Sequence, residues 1–496
     1  MIENVNSSSS LKTKTVTNFF WRLAERTLAQ LVGALVSIVL ARILLPQDYG
    51  VVAIVLLFTS LLDVFVSEGF ATALIQKKDA DDNDFSSMFY ASLFISSIIY
   101  LIVFVSAPYI AMYFGSEYSM LCPLLRVLSL QIPLGSFKSI QEAFVSRNLQ
   151  FKKFFFATLG GTIASAVIGI SLALYGVGPW ALVAQYLSNS VIDTFILNRI
   201  VRWYPKAHFS MGRVLPMLNY SYKLVLVGLV GRAYNELRSF VIGKRYTPAD
   251  LGYYNRGNQF PSLFLNNIES SLISVLFPVM SSLQDNRENV INVCRRAVKI
   301  STYVLFPIMT ILALIMEDLI YILLTDKWLP AVPYGIIFCC VYAFYPIYTT
   351  NIQAIRALGK STSFFWYEMA KKVNGIICII IAVPFGVYAI ALSLLAATFV
   401  NYFINSISAS RVIGYTHKLQ ILDLLPNLVM TIIMYGAVSL VPQISGSRIV
   451  DMIIRIVFAT SIYLTLSYLS RNESFLELKS MALSLVNKRK NHANSK

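Results

Sequence analysis

The chain has 496 residues, of which 56% are hydrophobic and 13% are charged, and its mean hydropathy is +0.65. This composition leaves too little polar surface for a water-soluble protein and indicates a protein whose surface faces lipid. The net charge of +16 would suit a protein that binds nucleic acid. However, most Lys and Arg residues lie in the connections and tails on one side of the apolar runs, so we expect no nucleic-acid partner.

Apolar runs of about 20 residues, the length that crosses a hydrocarbon core of about 30 Å, recur along nearly the whole chain. Because these runs are too long for strands and show no period-two alternation, we predict an all-α integral membrane protein with about fourteen transmembrane helices. The predicted spans are 17–42, 47–68, 86–108, 122–146, 151–174 and 177–200, then 214–243, 250–279, 290–316, 331–355, 361–385 and 387–410, and finally 419–442 and 449–470.

An internal repeat relates the first six helices to the next six. Residues 45–50 (Leu-Pro-Gln-Asp-Tyr-Gly) recur as 247–252 (Thr-Pro-Ala-Asp-Leu-Gly), and residues 176–182 recur as 386–392. Such a repeat predicts two pseudo-symmetric six-helix lobes followed by a C-terminal helix pair, a plan that is common among membrane transporters. In both Pro-containing turns we expect the Asp to cap the next helix and the Gly to permit close packing.

The positive charges predict the orientation. Lys and Arg are concentrated in the connections and tails on the side of the N-terminus, which places both termini in the cytoplasm. The first apolar run is long and contains charged residues, unlike a cleavable signal peptide, so we expect it to remain in the membrane. The predicted domains are a polar cytoplasmic N-terminus at 1–16, an N-lobe of helices 1–6 at 17–200, a cytoplasmic inter-lobe linker at 201–213, a C-lobe of helices 7–12 at 214–410, helices 13–14 at 419–470, and a basic cytoplasmic tail at 471–496.

The sequence carries no motif of soluble catalysis. It lacks a phosphate-binding glycine loop and a nucleophile elbow, and no hydrophilic stretch is long enough for an enzyme domain. The three His residues fall in loops or the tail, and the five Cys residues show no metal or disulfide spacing. We therefore predict no enzymatic activity, no cofactor and no metal. Any energy for transport would come from an ion gradient, the membrane potential or the substrate gradient.

Polar side chains form stripes inside three predicted helices, where an ionisable group needs a partner, a water-filled cavity or a function. The stripes contain Arg22, Glu25 and Arg26 in the first helix, Arg232 and Glu236 in the seventh, and Arg256, Gln259, Asn266 and Glu269 in the eighth. Because the first and seventh helices hold corresponding places in the repeats, both stripes could face one central cavity.

The Arg-containing stripes predict a cationic substrate site, since Arg stays charged and forms paired hydrogen bonds with phosphate or carboxylate oxygens. The predicted substrate-binding residues are Arg22, Arg26, Arg232, Arg256, Gln259 and Asn266. Glu25, Glu236 and Glu269 are candidates for ion coupling, although their spacing is not distinctive of a coordination site.

Structural interpretations of the same residues remain open. Arg22 and Arg26 could reach the cytoplasmic interface or pair with Glu25, and Arg232 could pair with Glu236. Arg256 lies near an outer helix end, where it could serve the headgroup region.

Two further sets of ionisable residues favour local roles. Asp63 and Asp193 are interpreted as isolated carboxylates near inner helix ends, more often interfacial than proton-coupling. Lys371 follows Glu368 by three residues, which predicts a local ion pair.

Residues 67–76 (Ser-Glu-Gly-Phe-Ala-Thr-Ala-Leu-Ile-Gln), the turn at 45–50, the repeat and the fourteen predicted helices together resemble one known family. It is the polysaccharide-exporter branch of the multidrug/oligosaccharidyl-lipid/polysaccharide superfamily, in particular its Wzx-type O-antigen and teichuronic-acid flippases. The resemblance covers roughly residues 15–470. It implies a protein of the bacterial cytoplasmic membrane that moves an undecaprenyl-diphosphate-linked oligosaccharide from the inner to the outer leaflet by alternating access.

The resemblance also implies a role in the synthesis of O-antigen, capsule, exopolysaccharide or teichuronic acid. The expected partners are the lipid-linked oligosaccharide, membrane lipids and possible polymerase and chain-length regulator proteins. Alternatives within the superfamily are a lipid II flippase or a multidrug exporter, although basic stripes disfavour cationic drugs. An alternative of another class is a membrane-embedded enzyme or polymerase acting on lipid-linked sugar, which would need a larger outer loop than this chain offers.

Overall fold

The computed structural model describes residues 8–148, 150–206, 208–442 and 446–494, and within these ranges all side chains except those of residues 8–20, 22–26, 482 and 485–494. The chain divides into two compact units, Met1–Gly252 and Tyr253–Lys496. Within the described residues, every regular element is a helix.

Unit 1 contains nine complete helices among its described residues and the start of a tenth. These are α1 (Ser8–Ile43), α2 (Pro46–Val66), α3 (Thr72–Gln76), α4 (Asp82–Phe114), α5 (Leu121–Leu128), α6 (Gln131–Arg147), α7 (Lys152–Leu174), α8 (Trp180–Val201), α9 (Met211–Arg245) and the beginning of α10 (Pro248–Ser282).

Unit 2 contains the remainder of α10 and the helices that follow it. These are α11 (Arg287–Leu314), α12 (Met316–Leu324), α13 (Val332–Ala343), α14 (Tyr345–Ala357), α15 (Ser361–Ala382), α16 (Val387–Val412), α17 (His417–Ser439), α18 (Arg448–Leu469) and α19 (Glu473–Asn494).

Helices cover all the predicted apolar runs, which confirms the all-helical prediction. Ten helical stretches in the described chain are long and apolar enough to cross a membrane, so this is a multi-pass membrane protein. Two predicted spans are each divided: 122–146 by the break between α5 and α6, and 331–355 by the break between α13 and α14. At the second break Pro346 occupies the first turn of α14, where its missing N–H costs least.

The division between the units falls after α9, whereas the sequence predicts a lobe boundary before that helix. Glycines bring α9 close to α2: a Cβ on Gly228 would lie 2.9 Å from Val64 Cγ1, and a Cβ on Gly243 would overlap Ile54. Near its C-terminal end α9 also packs on α4, where the Phe240 ring stacks 6.2 Å from that of Tyr113. The six-plus-six lobe division stays a prediction.

The repeated turns have the helix caps that their sequences predict. The Asp48 carboxylate accepts a hydrogen bond of 2.9 Å from the Leu45 backbone N–H. In the second turn the Asp250 carboxylate accepts one of 3.1 Å from the Thr247 backbone N–H. Each Asp thus closes the turn before a helix that begins with Pro.

The two repeated turns pack against each other within unit 1. A Cβ on Gly50 would overlap the Pro248 carbonyl oxygen and lie 2.9 Å from Pro248 Cα. Reciprocally, a Cβ on Gly252 would overlap the Pro46 carbonyl oxygen and lie 3.0 Å from its carbonyl carbon. The predicted role of both glycines in close packing is confirmed, because no side chain fits between the two backbones.

The segment predicted as a linker, residues 201–213, is fixed to the N-terminal part of α4. Trp203 packs in the hydrophobic core of unit 1, edge-on to Phe85 at 5.9 Å between ring centroids. The Lys206 backbone N–H donates to Ser86 Oγ at 2.9 Å, and the Lys206 ammonium lies 3.0 Å from Asp82.

The far end of the same segment is held by charges. Arg213 Nη1 lies 2.7 Å from the Asp81 carboxylate and 3.1 Å from that of Asp84. The hydrogen bond from the Asp84 backbone N–H, followed by that from Arg213, keeps the pKa of Asp81 below its usual value. The carboxylate is therefore ionised and available to the guanidinium at neutral pH.

In unit 2 a buried carboxylate joins α11 to α17. Arg295 donates from Nε and Nη2 to the two Asp423 carboxylate oxygens, each at 2.9 Å. The Tyr415 hydroxyl donates to Asp423 at 2.8 Å, and the Lys299 ammonium lies 3.5 Å away. Lys299 also pairs with Glu473 at 2.6 Å, so the same group of charges holds the start of α19.

Candidate functional site

The predicted first-helix residues lie on α1. The side chains of Arg22, Glu25 and Arg26 are outside the described set, so their roles in substrate binding and ion coupling stay predictions.

The predicted residues of the seventh helix lie together on α9. Arg232 Nε is 3.8 Å from Glu236 Oε1, and the two side chains are 48% and 28% exposed. Gly228, one turn earlier, lies near the Glu68 side chain of unit 1. The pair is therefore loose and partly open, so the Arg232 guanidinium can reach another anion without leaving a buried carboxylate behind.

The predicted residues of the eighth helix divide into two groups along α10. Near its beginning, Arg256 is only 5% exposed; it donates to Gln259, and its guanidinium lies 5.1 Å from the Trp328 ring centroid. Further along, Asn266 is exposed, and Glu269 accepts a hydrogen bond of 3.0 Å from Thr349. Arg256 thus lies inside unit 2 in this conformation, in the arrangement of a cation stacked on an aromatic ring.

A cluster of charges in unit 1 was not predicted. The Lys138 ammonium of α6 lies 2.6 Å from the Asp193 carboxylate of α8 and 3.8 Å from Glu142. Lys138 also interacts electrostatically with Asp63 of α2. Asp193 is 2% exposed. The interpretation of Asp193 as an isolated carboxylate is wrong, because Lys138 pairs with it, and Asp63 interacts electrostatically with the same ammonium.

Sequence reasoning could find only part of this cluster. The spacing of Lys138 and Glu142 is that of an i,i+4 pair on one helix face. The link from Lys138 to Asp193 joins α6 to α8, and no local pattern indicates which helices will be neighbours. Gly161 on α7 also lies against Asp193, so α7 closes over the buried carboxylate.

Arg238 is a second feature of unit 1 outside the predicted set. Its residue is 7% exposed, and its Nε and Nη2 atoms are buried without a hydrogen-bond partner among the described residues. A buried guanidinium with unused donors is unfavourable unless an anion binds there. Arg238 therefore has the properties of an anion-binding residue more clearly than Arg256 does.

In unit 2 the predicted pair of Lys371 and Glu368 is confirmed. The Lys371 ammonium contacts Glu368 Oε1 and lies 3.7 Å from the Tyr348 ring centroid. The Tyr348 hydroxyl donates a hydrogen bond of 2.9 Å to the same carboxylate. Lys371 is 5% exposed, so its charge is satisfied inside the unit and is not presented to a ligand.

These arrangements allow the binding of polar and charged molecules at membrane depth. Unit 1 has a half-exposed Arg232 and a buried Arg238 whose Nε and Nη2 atoms have no hydrogen-bond partner among the described residues. It also has the carboxylates of Asp193 and Glu142 around the Lys138 ammonium. Within the described chain, no three His, Cys, Asp or Glu side chains are grouped to hold a metal ion. Side chains of this kind can bind ions and hydrogen-bonding groups reversibly.

The fold defines a multi-pass helical membrane protein. Its structure is similar to that of the lipid II flippase MurJ in an inward closed conformation, with a TM-score of 0.70 and 16% sequence identity, over 92% of this chain and 99% of that one. This similarity concerns the fold.

The chain belongs to the family of polysaccharide biosynthesis proteins, whose sequence model matches residues 39–333. The succinoglycan biosynthesis transport protein ExoT of Rhizobium meliloti (strain 1021) is 26% identical, over 73% of this chain and 74% of ExoT. The lipopolysaccharide biosynthesis protein WzxC of Escherichia coli (strain K12) is 22% identical, over 84% of this chain and 85% of WzxC. These similarities confirm the polysaccharide-exporter resemblance.

Proposed function

We propose that this protein is a flippase that moves an undecaprenyl-diphosphate-linked oligosaccharide from the inner to the outer leaflet of the bacterial cytoplasmic membrane, for the synthesis of a surface polysaccharide. The observation that carries the proposal is the family match over residues 39–333. ExoT is a succinoglycan biosynthesis transport protein, which supports transport of a saccharide as the function and not its synthesis.

The proposal includes the membrane topology. Fourteen transmembrane helices with both termini in the cytoplasm place the excess of Lys and Arg on the inner side, as the positive-inside rule requires. An even number of crossings also keeps the basic tail at 471–496 beside the inner leaflet, whose anionic lipids attract it.

The proposed substrate carries two phosphates and often acidic sugars, so we expect cationic side chains to bind it. Arg22, Arg26 and Arg232 remain proposed substrate contacts, and Arg238 is added because its Nε and Nη2 atoms are buried without a hydrogen-bond partner among the described residues. Arg256 and Gln259, which are hydrogen-bonded to each other within unit 2, are proposed to stabilise α10 there, and Asn266 is proposed to contact the substrate. Glu25, Glu236 and Glu269 remain proposed ion-coupling groups.

The test is deletion of the gene in its own host, followed by mass spectrometry of lipid-linked oligosaccharides and analysis of surface polysaccharide. We expect accumulation of an undecaprenyl-diphosphate oligosaccharide and loss of one surface polymer, both reversed by the intact gene. Unchanged lipid-linked sugars with increased sensitivity to cationic drugs would contradict the proposal and favour a multidrug exporter. Accumulation of lipid II would instead favour the peptidoglycan precursor as cargo.

A working flippase also delivers its cargo to further enzymes on the outer side. A polysaccharide polymerase and a chain-length regulator are proposed as functional partners. Cross-linking in membranes of the host, followed by mass spectrometry of the captured proteins, would identify them; recovery of neither would remove this part of the proposal.

A further inference from the structure

Three tyrosines of unit 2 form a row of rings at membrane depth. Tyr342 lies at the end of α13, and Tyr345 and Tyr348 lie in the first turns of α14. The ring centroids of Tyr342 and Tyr345 are 5.3 Å apart, and those of Tyr345 and Tyr348 are 6.0 Å apart. All three side chains are partly exposed. The three rings therefore form a continuous row of aromatic contacts that is accessible in part.

Polar partners fix the two outer rings of this row. The Tyr342 hydroxyl donates to Asn258 Oδ1 at 2.7 Å. The Tyr348 hydroxyl donates to both Glu368 oxygens, at 2.9 and 3.1 Å. The acceptors belong to α10 and α15, so the orientations of these two rings are set before any ligand arrives.

Hydrogen-bonding groups also border the row. Glu269 is partly exposed, accepts a bond from Thr349 at 3.0 Å, and lies within electrostatic range of the Tyr342 and Tyr348 hydroxyls. Lipid tails are a poor match for a surface that includes an ionisable carboxyl, because transfer of a carboxylate from water into hydrocarbon is costly.

Aromatic faces beside a carboxylate suit a saccharide. The C–H face of a pyranose ring packs on an aromatic face, and its hydroxyl groups donate to carboxylate oxygens, which accept strong hydrogen bonds. We propose that Tyr342, Tyr345 and Tyr348, together with Glu269, form a saccharide-binding surface that holds the sugar part of the transported lipid. This inference rests on the proposed function and adds to it a site for the sugar, separate from the arginines proposed for the diphosphate.

The test compares aromatic and aliphatic replacements in the full-length protein, reconstituted in lipid nanodiscs. The probes are undecaprenyl diphosphate and the purified lipid-linked oligosaccharide that accumulates in the deletion strain. For Tyr345→Leu we expect affinity for the glycosylated lipid to fall roughly tenfold, with unchanged affinity for undecaprenyl diphosphate. Tyr345→Phe keeps the ring face and should stay within about twofold of the unaltered protein.

Tyr435→Leu is the matched control, because Tyr435 is 51% exposed on α17, away from the row; it should change neither affinity. Tyr348→Phe is the second variant, since it retains the ring but removes the bond to Glu368, and we expect a smaller loss for the glycosylated lipid alone. Thermal unfolding of each variant checks that it is folded.

Equal loss of affinity for both lipids in Tyr345→Leu, or no loss for either, would overturn the saccharide surface and leave the proposed flippase standing. Loss of tetraphenylphosphonium binding in place of sugar binding would also overturn it, since a ring beside a carboxylate can hold an organic cation. If the unaltered protein binds neither lipid, the proposed function and this inference both fail.

Discussion

Gly50 lies so close to Pro248 that a Cβ on the glycine would overlap the proline carbonyl oxygen. Gly252 has the same relationship to Pro46. The turns at residues 45–50 and 247–252, one from each repeat, thus meet backbone to backbone, and each supplies the glycine that the other requires.

Gly50→Ala and Gly252→Ala should each destabilise the protein by about 3 kcal/mol, because a methyl group must displace backbone and not a flexible side chain. Thermal unfolding in detergent, with folded yield, measures the effect. Gly436→Ala is the control, since a Cβ there meets nothing within 4 Å and Ala favours a helix. Unfolding temperatures of Gly50→Ala and Gly436→Ala that coincide would contradict the packing argument.

Lys138→Met should destabilise unit 1 by about 3 kcal/mol, since it leaves the buried Asp193 without its cation. The double variant Lys138→Met/Asp193→Asn should recover part of this loss, because both charges are gone. A double-mutant cycle on the unfolding temperature measures the coupling. If the changes in unfolding temperature of the two single variants sum to that of the double variant, the Lys138–Asp193 ion pair contributes nothing to stability.

Arg238→Ala should retain or gain thermal stability while export falls strongly. The guanidinium has buried donors without partners in the described structure, so removing it relieves an unfavourable burial and also removes an anion contact. Complementation of the deletion strain gives the export readout. Arg238→Lys should restore export only in part, because an ammonium cannot form the paired bonds of a guanidinium.

Arg256→Ala provides the contrast, because this guanidinium stacks on Trp328 and donates to Gln259. It should lose stability, with any loss of export following the loss of folded protein. Full export by Arg238→Ala, or a loss of stability as large as that of Arg256→Ala, would remove Arg238 from the proposed site.

Asp423→Asn should destabilise unit 2 by about 3 kcal/mol, since the amide cannot serve Arg295, Lys299 and Tyr415 together. Trypsin sensitivity of α19 should rise as well, because Lys299 also holds Glu473. Glu288→Gln is the control, because Glu288 is exposed near the start of α11, the helix that carries Arg295 and Lys299. A protease-resistant tail in Asp423→Asn would show that α19 is held independently of Asp423.

The sequence predicts the helices and the helix caps well because both depend on local patterns. It also marks Gly50 and Gly252 as close-packing positions, although it does not indicate which turn each one meets. Apolar runs mark the spans, and a Pro-x-Asp-x-Gly turn indicates its own cap wherever it lies. Lys371 and Glu368 are predictable for the same reason, being neighbours on one helix face.

Contacts between distant helices are not predictable in this way. Lys138 and Asp193 belong to separate helices, and nothing local to either residue identifies the other. Arg256 on α10 and Arg238 on α9 show the same limit. Only the neighbouring helices decide that the Arg256 guanidinium stacks on a ring, whereas two Arg238 nitrogens have no hydrogen-bond partner among the described residues.

Residues 201–213 are held to α4 by Trp203, by the hydrogen bond to Ser86 and by the ion pairs of Lys206 and Arg213. Chain continuity is therefore not what keeps α8 and α9 in place there. The gene could be divided within this segment and its two parts translated as separate polypeptides, which would find each other through the same contacts. We expect unit 1 to stay folded after a break in the peptide at this position. A reporter or protease site inserted there would divide the chain and leave unit 1 assembled.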